Sequence, residues 1–221
     1  MDKNNFSWLL LALLVLLFGV PIADDLTVST APAVRALLIS CLLMIGVWSL
    51  RGTSRAFTLG ITFVIIGVLS NILAASFPSQ LFILASFVAL FAFLLLAISH
   101  TLKQVALENV ISVNRLVGAI CVYLLLGVIW AVAYSVLDLL VPGSFEEFST
   151  IAGQGWDSEW LYFSFVTMTT LGYGDITPVS ATAKALAYIQ AVFGQLYVAI
   201  LVAGLVSAYI SGRQSDSKDS N

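Results

Sequence analysis

The chain has 221 residues, of which 60% are hydrophobic and only 10% charged, and its formal net charge is -3. Soluble domains carry roughly 25% charged residues, so this composition excludes an ordinary soluble fold and marks an integral membrane protein. The nine Lys and Arg residues are scattered without a basic patch, which excludes a nucleic-acid-binding surface.

A spanning helix needs about 20 mostly apolar residues. Runs at 6–23, 33–50, 56–75, 81–99 and 116–140 meet that need, and a sixth comes at 181–210. The predicted fold class is therefore an all-α membrane protein with six transmembrane helices. The last run would be about 45 Å long against a ~30 Å hydrocarbon core, so it must tilt, bend or project into the cytoplasm. The first run has a second reading: Lys3, an apolar stretch and Pro21-Ile22-Ala23 resemble a cleavable signal peptide. A retained helix is favoured, because the run is long and Pro21 stands where a small residue is expected.

Placement of positive charge sets orientation. With the N-terminus inside, the cytoplasmic segments hold Lys3, Arg51, Arg55, Lys103, Arg115, Arg213 and Lys218, leaving Arg35 and Lys184 outside. Asp24, Asp25, Glu146, Glu147, Asp157 and Asp175 then fall outside. Residues 100–115 form a cytoplasmic connection in which Leu102, Val105, Ala106, Val110 and Val113 recur at helical spacing. That pattern predicts an amphipathic linker, either a plain surface connection or a lever joining the first four runs to the last two. The tail 213–221 is polar and expected to be disordered, without room for a folded cytoplasmic ligand-binding domain.

Enzyme chemistry finds little footing. His100 is the single histidine, and Cys41 and Cys121 lie deep in apolar runs as buried hydrophobes. No nucleophile elbow, P-loop or paired intramembrane carboxylates occur, so neither catalysis nor a cofactor is expected.

The most informative segment lies between the last two runs: Thr169-Thr170-Leu171-Gly172-Tyr173-Gly174-Asp175. Glycine accepts both signs of φ, so alternating glycines let the backbone turn its carbonyls toward a common axis. A ring of such carbonyls can replace the water around a potassium ion. Residues 158–169 precede it as a helix of about 18 Å, too short to span and suited to a re-entrant element. Asp157 or Ser158 can cap that helix, and its C-terminal partial charge would favour a cation.

Over about its last hundred residues the chain resembles the tetrameric potassium-channel superfamily. The resemblance implies an outer helix (116–140), a pore helix (158–169), a selectivity filter (170–175) and an inner helix (181–210). One signature per chain and no internal repeat imply a homotetramer, closing the pore on its four-fold axis. By resemblance, the carbonyls of Thr170, Leu171, Gly172 and Tyr173, with the Thr170 hydroxyl, coordinate K+, and Gly174 completes the filter. Asp175 would ring the outer mouth and concentrate cations. Tyr173 would strut the filter against pore helices, with Tyr162, Phe163, Val166, Thr167 and Thr169 as filter support. Leu171 stands where valine or isoleucine is commoner, which bears on packing more than on ion choice.

Two further departures matter. Paired pore-helix tryptophans of many members are replaced by Tyr162 and Phe163, so an indole donor is missing and Thr167 is the expected partner of the Tyr173 hydroxyl. A glutamate found behind the filter in some members is Val166 here, which removes a carboxyl pair with Asp175. In the inner helix, Gly194 lies twenty residues after Gly174 and matches the family's gating hinge; the alternative is close helix packing, the role expected of Gly204. Gln195, Val198, Val202 and Val206 recur near helical spacing and could line the cavity or a gate, or serve packing.

The first four helices (1–99) occupy the position of a voltage sensor, which needs about 3–4 gating charges per subunit. Residues 81–99 contain no arginine or lysine, so little voltage sensing is expected. The function expected is passive K+ conduction by a homotetramer in contact with membrane lipids and K+ alone. A weakly selective cation channel and a non-conducting regulatory subunit are the alternatives. The expected location is the plasma membrane of a prokaryotic cell, with both termini cytoplasmic.

Overall fold

The computed structural model describes residues 5–26, 38–40, 42–47, 54–77, 79–107, 113–146 and 158–219. In chain order the elements are α1 (Asn5–Leu26), α2 (Leu38–Val47), α3 (Ser54–Ser76), α4 (Gln80–Leu107) and α5 (Val113–Leu140). Beyond these come β1 (Phe145–Glu146), α6 (Ser158–Met168), β2 (Thr177–Pro178) and α7 (Ala181–Asp219). Among the described residues, α1, α3, α4, α5 and α7 are long and apolar enough to cross a bilayer. The chain is a multi-pass membrane protein. Half of the predicted second span, 33–50, lies outside the described residues, and α2 is the part of it within them.

α5 is the hub. It packs against α1, α4, α6 and α7, and it is apolar on every face, as a helix surrounded by others must be. Small residues let those neighbours come close: a Cβ added at Gly118 would sit 2.7 Å from Val105, and one at Gly127 would sit 2.3 Å from the Phe165 ring. α1 is built into this core. Leu9, Leu13, Leu16, Val20 and Ala23, three or four apart, are buried, whereas Trp8, Leu11, Phe18 and Ile22 face outward. The Cys121 thiol donates to the Phe6 carbonyl at 3.5 Å, tying α1 to α5 near one end. Cys41 falls outside the described residues.

α7 buries one stripe: Ala183, Gln190 and Gly194 are buried, and Leu186, Ala187, Tyr197 and Leu201 partly so. Alternate steps of three and four keep this stripe on one side of the helix. The opposite side exposes Tyr188, Val192, Phe193, Leu196 and Ile200.

Three sequence expectations need correction. Residues 100–107 are not a separate amphipathic helix, because α4 continues through Leu107 with no Gly or Pro to stop it. Its periodicity serves packing instead: Thr101 and Val105 are buried, and Val105 forms a small cluster with Phe6 and Ala119. Leu102 and Val113, expected on the same apolar face, are exposed. The linker's residues 108–112 lie outside the described residues, and the outer helix begins at Val113 rather than 116. The tail is not disordered through 213–221: α7 runs to Asp219, since Gly212 alone interrupts a segment free of proline. Its 39 residues make a helix of about 58 Å, well beyond a bilayer core.

Candidate functional site

α6 is seated by an aromatic cluster. Phe163 packs edge-on against Tyr134 of α5 (centroids 4.8 Å apart), and Phe145 of β1 packs edge-on against Trp160 (5.1 Å) and Phe163 (5.4 Å). These T-shaped contacts match the positive ring edge to the negative face. Of the two positions that lack tryptophan, Phe163 thus faces the core, while Tyr162 faces the loop. α6 ends at Met168, one residue before the expected limit, and Thr169 and Thr170 form the turn that leaves it.

The loop is held from behind by the end of α6. Thr170 N–H donates to the Thr167 carbonyl (3.0 Å), and the amides of Leu171 and Gly172 both donate to the Val166 carbonyl (3.0 and 3.4 Å). In a trans peptide the carbonyl points opposite to the N–H of the next residue, and there are no cis bonds among the described residues. The carbonyls of Thr170 and Leu171 therefore point away from α6, into the open space in front of the loop. φ is positive at Thr170 (60°), Gly172 (57°) and Gly174 (79°), and at neither Leu171 nor Tyr173. Alternating left- and right-handed residues turn successive peptide groups to one side, whereas a strand alternates them. Glycine occupies two of the three left-handed sites without steric cost. Thr170 is the exception, and its hydroxyl donates to the Thr169 carbonyl at 2.6 Å, leaving the oxygen's lone pairs facing outward.

The Tyr173 ring does not point at this open side. It lies parallel to Tyr162 (6.5 Å between centroids, 6° between planes), so Tyr162 and not Thr167 is its neighbour on α6. Thr167 contributes its carbonyl to Thr170 instead. Thr169 turns its hydroxyl back to the Phe165 carbonyl (2.7 Å), completing the helix end.

Asp175 closes the loop. One carboxylate oxygen accepts the Tyr162 hydroxyl and the other accepts the Ile176 amide at 3.0 Å. The Tyr162 hydrogen bond holds the Asp175 carboxyl below its ordinary range, and the same bond pushes the Tyr162 phenol up to about 12. At the position of the missing indole, a phenol donates to Asp175 and stacks on Tyr173. A short antiparallel pair then ties the chain after Asp175 to the end of α5, with Phe145 opposite Pro178 and Glu146 opposite Thr177. Val179 N–H adds a bond to the Ser144 carbonyl at 2.8 Å.

Behind α6 lies a buried polar network that local sequence patterns missed. Gln190 of α7 donates to the Ser164 carbonyl (3.0 Å) and hydroxyl (2.8 Å), and accepts from the Tyr134 hydroxyl. Ser164 in turn donates to the Gly127 carbonyl at 2.6 Å. A glutamine inside an apolar run was the available signal, since polar side chains at membrane depth need partners.

Gly194 is buried against the end of α6: a Cβ there would meet both the Met168 Cγ and the Met168 carbonyl at 2.6 Å. Gly204, expected to serve packing, has nothing within 4 Å of such a Cβ. Gly194 thus shows the close packing given as its alternative role, and Gly204 packs against nothing within the chain. Gln195 reaches the Met168 carbonyl at 3.5 Å, and Val198 and Val202 are exposed beside it. The Val206 side chain lies outside those described.

A family profile described as ion channel matches residues 118–211, from α5 through the loop into α7. Two-pore potassium channel 3 of Arabidopsis thaliana is 42% identical over 60 residues, 27% of this chain and 14% of that protein. Over residues 118–211 the chain is thus similar to pore-loop ion channels, and the relatives it matches are potassium channels. Two-pore potassium channel 5 of the same plant is 40% identical over 55 residues, 25% of this chain and 14% of that protein. Two pore potassium channel c of Oryza sativa subsp. japonica is 47% identical over 47 residues, 21% of this chain and 10% of that protein. The matches thus span 10–14% of these curated relatives' length. No solved structure matches this chain.

Proposed function

We propose that four copies of this chain form a potassium-selective pore that conducts K+ passively. The observation that carries this reading is the loop backbone: amides of Leu171 and Gly172 bound rearward to Val166, and left-handed residues at every second position. Four such loops around an axis would present successive rings formed by the carbonyls of Thr170, Leu171, Gly172 and Tyr173, with the Thr170 hydroxyl as the innermost ligand. Each ring exchanges an ion's hydration water for fixed dipoles. Gly174 completes the turn, and Asp175 supplies a ring of negative charge where ions enter.

The exposed apolar side of α7 suits the same assembly, because neighbouring subunits would cover Tyr188, Val192, Phe193, Leu196 and Ile200. Gln195, Val198 and Val202 then line the water-filled cavity below the filter, continued by Val206. α1 to α4 act as a surrounding lipid-facing domain, with the termini on the cytoplasmic side.

K+ flux into proteoliposomes containing only this protein tests the reading. Flux that is selective for K+ over Na+, with four subunits per pore, is the expected result. Equal K+ and Na+ reversal behaviour makes it a weakly selective cation channel instead. Absence of flux from correctly assembled protein refutes conduction.

A further inference from the structure

We propose that Gln190 is a positioning residue for the filter, joining the inner helix to the loop through the pore helix. The proposal rests on the K+-channel reading above and deepens it. Gln190 and Ser164 are both fully buried within one chain, as is Tyr134. The hydrogen-bond set is closed and has one direction. The Ser164 carbonyl can only accept, so the amide nitrogen of Gln190 must face it, which leaves Oε1 for the Tyr134 hydroxyl. The second amide proton goes to Ser164 Oγ, whose own proton goes to the Gly127 carbonyl. Every side-chain donor in this network is used, without water.

This geometry makes α7 a second support of α6, beside α5. The aromatic cluster fixes α6 on α5, and Gln190 fixes α7 on α6 at Ser164. Two residues further along α6 is Val166, whose carbonyl holds the amides of Leu171 and Gly172. Displacing α7 from α6 pulls the two Gln190–Ser164 hydrogen bonds out of an apolar interior, where water does not replace them. Because Ser164 is bonded to α7 through Gln190 and to α5 through the Gly127 carbonyl, a shift of α7 loads α6 at Ser164, and the Val166 carbonyl shares that load. The ligand geometry of the loop is therefore set in part by where the inner helix stands.

The test is the K+ dependence of thermal stability of the full-length purified protein in lipid nanodiscs, titrated with K+ at constant total K+ plus Na+. The K+ concentration giving half of the stabilisation reads loop geometry, whereas stability in Na+ alone reads overall packing. Gln190→Leu is expected to raise that half-point about tenfold, and Tyr134→Phe, which removes only the donor to Oε1, about threefold. If Gln190→Leu fails to assemble, the Tyr134→Phe shift decides. An unchanged half-point in the variants, with stability lowered equally in K+ and Na+, overturns the proposal and leaves a structural role only. A wild-type protein with no K+-dependent stability overturns the K+-channel reading itself, and this proposal with it.

Discussion

Gly194→Ala separates close packing from hinge bending by the sign of its effect on stability. Alanine in a helix interior is favoured over glycine by about 1 kcal/mol, so a glycine kept only for bending should gain stability on substitution. At Gly194 the new methyl group meets two Met168 atoms at 2.6 Å. One of these is a backbone carbonyl that cannot swing aside, and the Met168 side chain is itself buried at 1% exposure. Overpacking of this kind costs about 1–3 kcal/mol, and the backbone contact places this site at the upper end. The net effect is a loss of about 2 kcal/mol after the propensity gain. Thermal unfolding of the purified variant should fall by about 4–8 °C. Gly204→Ala is the matched control, because no atom lies within 4 Å of its added Cβ. That variant should melt about 2–4 °C higher through propensity alone. Equal stabilisation by both substitutions would refute the packing argument, most clearly if Gly194→Ala also lowered open probability.

Other outcomes concern the loop and the helices around it. Tyr162→Phe removes the donor that depresses the Asp175 pKa. A depressed carboxyl keeps its charge at any pH above its lowered pKa, so wild-type current should resist external acid to below the ordinary carboxylate range. In the variant, proton block should begin at higher pH; identical block curves for the two proteins would remove Tyr162 from this role. Asp175→Asn should reduce inward K+ current most at low ionic strength, and a loss equal at about 20 and about 500 mM salt would contradict a charge-concentrating ring (Debye length about 10 Å at 0.1 M). Gly127→Ala should destabilise the assembled protein, because its Cβ would enter the Phe165 ring at 2.3–2.9 Å; an unchanged melting temperature counts against α6 being seated there. Finally, residues 81–99 of α4 lack Arg and Lys. The conductance–voltage slope should correspond to less than about one charge per subunit, against about 3–4 in a working sensor.

The sequence was legible where local chemistry determines the structure. Glycines at 172 and 174 announce left-handed backbone, and the 158–168 helix is bounded by polar residues and a glycine loop, so its limits could be read to within one residue. The partners were not legible. Tyr162 and Asp175 are 13 residues apart, Ser164 and Gln190 are 26, and Thr177 and Glu146 are 31. No periodicity within a window reports such pairs. The sequence marks Tyr162 as filter support but does not give Asp175 as the acceptor of its hydroxyl. Residues 100–107 and 213–219 were misread for a different reason: polar composition argues for a surface segment, but only a breaker ends a helix.

The two-residue strand pair, small as it is, changes the topology of the chain. Pairing Glu146 with Thr177 closes a ring of about 30 residues that contains α6 and the entire loop. Closing a flexible ring of that length costs ~3 kcal/mol in its length-dependent entropy. That cost falls at folding, once, and the ring cannot regain the freedom while the pair holds.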